Sequence, residues 1–212
     1  MRRYGIGARA LAVGLAVLAG FVDAVGFLKL GGLFVSFMSG NSTRLAVDIA
    51  ATSRVAFLSA ALIAAFVGGV MIGAAAGRAG GARRKQTVLA VVTALLLLAA
   101  TAIFQTFATT LLMAAAMGAA NAVFQRDGEV SVGVTYMTGT LVKFGQNLAA
   151  TFWGGDRSAW VPYLLLWIGL VAGATTGAGV FAIIGSAALW CATVFAALLT
   201  AFAIMLERRQ HA

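Results

Sequence analysis

An all-α integral membrane protein is the fold class this chain predicts, and three observations predict it. Hydrophobic residues make up 62% of the 212 positions and charged residues only 10%, with a mean hydropathy of +0.99. A soluble domain of this size needs far more polar surface. Six apolar runs are each long enough to cross a hydrocarbon core, for which about 20 helical residues suffice. The 26 Gly and single Pro, in a chain rich in Ala, Val and Leu, suit close-packed helices better than the alternating segments of an outer-membrane barrel.

The runs fall near residues 8–28, 55–77, 87–105, 107–125, 160–182 and 184–206. Arg2, Arg3 and Arg9 before the first run resemble the start of a signal peptide. That run is too long, however, carries Asp23 and returns later as part of a repeat, so it is expected to be the first membrane helix. Arg78, Arg83, Arg84 and Lys85 separate the second and third runs, and Glu207-Arg208-Arg209 follows the sixth. The net charge of +9 therefore lies mainly in short clusters between apolar runs, a topology signal rather than a nucleic-acid surface. Trp153, Trp160, Tyr163 and Trp167 read as an interfacial belt at the fifth run. Lone Cys191 permits no disulfide framework, and lone His211 beside the C-terminus leaves no basis for a His metal site or a Ser-His-Asp arrangement. No metal or cofactor is expected.

Two less hydrophobic stretches, 31–52 and 128–152, are interrupted by Gly and hydroxyl residues and carry charge, so neither reads as an ordinary lipid-facing span. They are copies of each other. At an offset of 99 residues, Phe37 to Ala51 (FMSGNSTRLAVDIAA) matches Tyr136 to Ala150 (YMTGTLVKFGQNLAA). Met38 pairs with Met137, Ser39 with Thr138, Gly40 with Gly139, Arg44 with Lys143 and Asp48 with Asn147. Upstream, Asp23 pairs with Asn121 in GFVDAV against GAANAV; downstream, Gly69, Gly73 and Gly77 recur as Gly169, Gly173 and Gly177. Ordered polar matches are hard to produce by composition alone, so one membrane domain, 1–212, is expected to contain two repeats near 8–105 and 107–206.

Each repeat is one helix, one polar segment and two more helices. If the polar segments cross, each half has four spans and the halves are parallel; if they are re-entrant, each half has three and the halves are inverted. Positive charge favours the second. With the basic N-terminus inside, three plus three spans place the Arg78 to Lys85 loop and the Glu207-Arg208-Arg209 tail inside as well, and the nearly charge-free 177–185 turn outside. The bacterial inner membrane, with both termini cytoplasmic, is the expected location.

In that arrangement, Met38-Ser-Gly-Asn-Ser-Thr43 and Met137-Thr-Gly-Thr140 are expected to cap short helices over Arg44 to Ala51 and Leu141 to Ala150. Their N-termini would enter from opposite faces and meet near the midplane, where free N–H groups and the positive dipole ends suit an anion or a strongly accepting solute. Candidate solute contacts are Ser39, Gly40, Asn41, Thr43, Arg44, Thr138, Gly139, Thr140 and Lys143. The competing reading pairs Arg44 with Asp48 one turn on and has Lys143 snorkel to the interface. Asp23, Asp48, Asn121 and Asn147 form a candidate proton-coupling or polar network; only the first half could carry a proton, because both acids become amides in the second. The bland alternative has Asp23 paired with Lys29 or Arg44. The Gly ladders put a small residue at every fourth position and predict close helix contact, between the repeats or in a homodimer.

The same residues, GFVDAVGFL and FMSGNSTRL in the first half with GVTYMTGTLVK in the second, resemble the YoaK-type family of bacterial inner-membrane proteins, the domain of unknown function 1275. The resemblance covers nearly the whole chain. It implies a six-helix inner-membrane protein and no settled substrate.

Three function classes stay open: a transporter or channel for a small polar, anionic solute; a scaffold or accessory subunit in which the breaks serve packing only; and an intramembrane enzyme. The last fits worst, because the apolar core has no His or Glu, no thiol-base pair and no metal-ligand cluster. The partners expected are the bilayer and a small solute, not nucleic acid.

Overall fold

The computed structural model describes residues 5–53, 55–126, 129–130 and 133–211. Arg2, Arg3 and part of the 128–152 stretch lie outside the described residues, as does the side chain of Arg209. The chain is helical almost throughout. Its elements are α1 (Ile6–Leu30), α2 (Met38–Ala50), α3 (Val55–Gly80), α4 (Arg84–Thr101), α5 (Thr106–Ala120), α6 (Met137–Phe152), α7 (Val161–Ile184) and α8 (Ala188–His211). Two antiparallel strands of two residues each, β1 (Gln125–Arg126) and β2 (Glu129–Val130), precede α6. By length and composition, three stretches can cross a membrane: 6–30, 55–101 and 161–208. The last two, of 47 and 48 residues, are each interrupted by a single 3-10 turn, Gly81–Arg83 and Gly185–Ala187.

The contacts between helices fix their directions. Gly169, Gly173 and Gly177 of α7 face Val13, Val17 and Phe21 of α1, so those two run parallel. Gly69 and Gly73 of α3 face Ala115 and Ala119 of α5, again parallel. Gly7 and Gly14 of α1 meet Leu206 and Leu199 of α8, which are antiparallel, and α4 meets α8 through Thr93 with Thr200 (3.2 Å) and Gln86 with Glu207, antiparallel as well. Arg84 at the start of α4 donates to the carbonyl of Ala122 just past α5 (3.2 Å), so α4 and α5 form an antiparallel hairpin. Following these in order, α1 and α3 point in opposite directions although α2 lies between them, and so do α5 and α7 on either side of α6.

Both Gly ladders are therefore covered within one chain: Gly169, Gly173 and Gly177 by α1, Gly69 and Gly73 by α5, and Gly77 by the Arg84 side chain of α4. A Cβ at Gly173 would press on the Val17 carbonyl, one at Gly69 on that of Ala115, one at Gly20 on that of Leu170 and one at Gly118 on that of Phe66. The contacts place Gly69 in the role of Gly173, one helical turn from the Gly69 to Gly169 match that the sequence suggests. Between the polar motif and this crossing the second half is longer: Met137 to Gly173 spans 36 positions, Met38 to Gly69 only 31.

The buried core runs along α1, α4, α5 and α8, with Leu11, Leu15, Leu18, Leu89, Leu96, Met113, Met117 and Leu189 fully enclosed. The outer faces of α3 and α7 expose Val67, Met71, Ile72, Leu165, Ile168 and Val171. A water-soluble protein does not leave so much apolar surface bare, whereas lipid covers it at no cost.

Candidate functional site

The site is built by two chain reversals. α1 ends at Gly31, whose left-handed φ of 63° suits a residue without Cβ, and Gly32 at φ 112° turns the chain back. Residues 33–37 then descend beside α1 to the level of Asp23, about 10 Å below the helix end. There the carboxyl Oδ1 of Asp23 accepts the N–H groups of Val35 (2.9 Å) and Ser36 (2.8 Å). Fully buried Asn41 clasps the same segment, its amide donating to the Phe34 carbonyl (2.6 Å) and its Oδ1 accepting the Phe34 N–H (3.0 Å). These bonds satisfy a backbone that leaves regular structure within the protein interior.

The second half repeats the device with other groups. Asn121, 2% exposed, donates to the Met117 carbonyl (3.0 Å) and bonds the Thr135 hydroxyl (3.0 Å). Thr135 stands where Ser36 stands in the first half. Thr140, the counterpart of Asn41, returns its hydroxyl to the Tyr136 carbonyl (3.1 Å).

Held this way, α2 and α6 start next to each other. Ser36, Phe37, Met38 and Ser39 line one cavity of about 260 Å³ together with Thr135, Tyr136, Met137, Thr138 and Gly139. Phe66, at mid-length of α3, closes it. The N-cap positions are Phe37 and Tyr136, and neither gives a side-chain cap bond. Ser, Thr, Asp or Asn ordinarily satisfy first-turn N–H groups from that position; an aromatic ring cannot. Two uncapped first turns thus adjoin one small space lined by hydroxyls, thioethers and rings.

The helices begin earlier than the sequence suggests. The Met-Ser/Thr-Gly motifs are expected as caps ahead of Arg44 and Leu141, but they form the first helical turns themselves, from Met38 and Met137. The turning is done upstream by Gly31 and Gly32 and by the Asp23 and Asn41 bonds, so nothing prevents helix from starting at Met38. Gly40 has a packing reason: a Cβ there would meet the rings of Phe37 (2.5 Å) and Phe34 (3.3 Å). Gly139 has none, since open space surrounds its Cβ position and it lines the cavity.

Of the anticipated solute contacts, Ser39, Thr138 and Gly139 line the cavity, with Gly40, Asn41 and Thr140 in the same first turns. Thr43 is exposed and bonds the Ser39 carbonyl (3.2 Å). Arg44 and Lys143 do not line it. Arg44 pairs with Asp48 (3.1 Å), and Lys143 is exposed further along α6. Asn147 donates to the Lys143 carbonyl (2.7 Å), apart from Asp23 and Asn121. Asp23 pairs with neither cation: Lys29 donates to the Ile103 carbonyl (3.2 Å) and the Ser186 hydroxyl (2.8 Å), stitching two turns at that end of the bundle. Ser36 and Thr135 could have been found from their alignment as a hydroxyl pair; Phe66 carries no local signal at all.

The described cations are unevenly placed. Arg9, Arg78, Arg83, Arg84, Lys85, Arg157 and Arg208 lie at the end of the bundle where α1 starts and α8 finishes, Lys29 and Arg44 toward the opposite end, and Lys143 within α6 between them. At the basic end, Arg84 also bonds Gln125 (2.5 Å), and Lys85 sits over the Phe124 ring at 5.9 Å.

Comparison with known proteins agrees with a membrane chain. The family model described as "Protein of unknown function (DUF1275)" matches residues 11–202. A UPF0700 transmembrane protein of Rhizobium meliloti is 38% identical over 213 residues, covering 98% of this chain and 91% of that one. No solved structure matches. The long apolar helices and the transmembrane relative together make this a multi-pass membrane protein.

Proposed function

The chain belongs to the DUF1275 family of proteins of unknown function, and from that premise we propose that it carries a small polar solute, by preference an anion, across the bacterial inner membrane. The carrying observation is the cavity shared by the uncapped first turns of α2 and α6. Converging N–H groups and dipole ends stabilise negative charge away from water, and helix ends that meet within a membrane protein commonly form such a site. Among the described residues, the lining side chains include no carboxylate, imidazole, amine or thiol, which suits passage without chemical conversion.

Six crossings in two inverted halves, 8–105 and 107–206, are the topology that goes with this function. The reversal of direction from α1, α3, α4 to α5, α7, α8 supports it, and so does the matched exchange in which α1 packs on α7 and α5 on α3, each half's first long helix on the other half's second. Gathering of the cations at one end supports cytoplasmic termini. Single cysteines at Gln86, Gly155 and Gly185 in a Cys191→Ala background test the topology. Labelling of Gly185→Cys alone from outside intact cells is expected, and outside labelling of Gln86→Cys would overturn it.

Gly139→Leu tests the function. Gly139 lines the cavity and nothing lies within 4 Å of where its Cβ would stand, so the variant is expected to fold while uptake of small anions into proteoliposomes falls at least about tenfold, the effect of filling a site rather than trimming it. Unchanged flux, or no flux of any small solute in the parent protein, would favour a scaffold or accessory subunit instead. Gly40→Leu is a poor substitute because it also displaces Phe37.

A further inference from the structure

Asp23 has a second side. Besides holding Val35 and Ser36, it lines a separate surface groove of about 500 Å³ between α1 and α7, with Phe27, Phe34, Leu170, Thr175 and Ala178. Thr175 and Leu28 at its lip are exposed. The groove lies toward the end of the bundle that bears Lys29, away from the basic end. The counterpart Asn121 is sealed inside the protein. The half with the titratable group thus gives it access to the surface, and the half with the amide does not.

Segment 34–37 is the wall between the two spaces. Phe34 lines the groove; Ser36 and Phe37 line the cavity; and Asp23 bonds the wall from the groove side. We infer that the groove is a proton site, in which Asp23 exchanges a proton with the aqueous face opposite the basic end and thereby loosens or tightens the start of α2 at the cavity. The carboxylate takes up one proton to become the neutral acid, its charge going from −1 to 0, and one O–H bond forms. A neutral acid is a weaker acceptor for backbone N–H than a carboxylate, so Val35 and Ser36 are held less firmly at low pH.

Among the described residues, no other ionisable group lines the groove. The segment 31–37 and α5 carry none. On α7, Tyr163 is near the far end; on α8, Cys191 is exposed and does not line the groove. Lys29 is committed to Ile103 and Ser186, Arg44 to Asp48, and Arg9 lies at the opposite end. The transport consequence rests on the cavity being the solute site: movement of a proton at Asp23 would then be coupled to solute occupancy in the first half only.

The test needs no solute, so it stands apart from the flux experiment. In the Cys191→Ala background, Ser39→Cys and Thr138→Cys report equivalent positions of the two first turns, one below a carboxyl and one below an amide. Their reaction rates with an uncharged maleimide are followed from about pH 8 to about pH 5, and the ratio removes the thiolate dependence common to both. The ratio of Ser39→Cys to Thr138→Cys is expected to rise roughly three- to tenfold on acidification, the size of a charge-assisted bond becoming neutral. Adding Asp23→Asn is expected to flatten it. A ratio constant with pH, or a change that survives Asp23→Asn, overturns the inference. Should Asp23→Asn fail to fold, Thr175→Phe at the exposed lip fills the groove with Asp23 retained; loss of the pH response then supports the inference, and a full response overturns it.

Discussion

The first and second halves solve one problem with different chemistry. Each must return its chain into the protein after the first helix and begin a short helix there. The first half does so with a carboxyl on two backbone N–H groups and an amide closing a ring on Phe34. The second uses a buried amide on a hydroxyl. The geometry is shared, whereas ionisation and access to the surface belong to the first half alone. Each half needs hydrogen bonds to stabilise its reversal; only an acid can also respond to pH.

The largest effect that would break this comparison is at the helix crossings. Gly173→Leu and Gly69→Leu drive a side chain into the backbone of the facing helix, and each is expected to cost more than about 3 kcal/mol and to abolish monodisperse protein on size-exclusion chromatography. A Cβ at Gly169 would stand 3.2 Å from both the Val13 side chain and the Val13 carbonyl, whereas one at Gly173 presses far closer on the Val17 carbonyl, so Gly169→Ala is expected to cost about 1 kcal/mol in thermal unfolding and clearly less than Gly173→Ala. If Gly169→Ala proved as damaging as Gly173→Ala, the one-turn shift between the halves would be wrong.

The reversals come next. Asp23→Ala strands two backbone N–H groups and should destabilise by about 2–4 kcal/mol, whereas Asn121→Ala should cost about 1–2, because the Thr135 hydroxyl can rotate to another acceptor. Equal losses in detergent thermal melts would mean that the two anchors are interchangeable. The smallest effects are expected at the charges outside the cavity. Lys143→Ala, at an exposed side chain, should change stability by less than about 1 kcal/mol, and Arg44→Ala by about 1–2 kcal/mol, because it leaves the buried carboxylate of Asp48 without its partner. A large loss of flux with either would place these cations in the solute path after all.

The polar segments, the ordered match between the halves and the two acids replaced by amides are all visible along the chain, because each is a local departure from an apolar background. The expected meeting of two first turns is also legible, once charge favours inverted halves. Phe66 in the cavity is not, since nothing near it differs from any other aromatic on a lipid-facing helix. Nor is the fate of Arg44: residues four apart on a helix are natural partners, but so is a cation beside a dipole end, and only the distance to Asp48 separates the two.

Hydrophobicity, run length and the placement of Lys and Arg are properties of short segments in contact with lipid or water, so the sequence by itself determined a multi-pass helical membrane protein and pointed to two broken polar segments. Which helix faces each Gly ladder, which backbone groups Asp23 holds, and that Asp23 opens onto a groove while Asn121 is enclosed are relations between segments far apart in the chain. They depend on close packing to within an ångström, and a five-residue difference in spacing moved one crossing by a full turn. Periodicity has no term for that, and only the tertiary structure decided it.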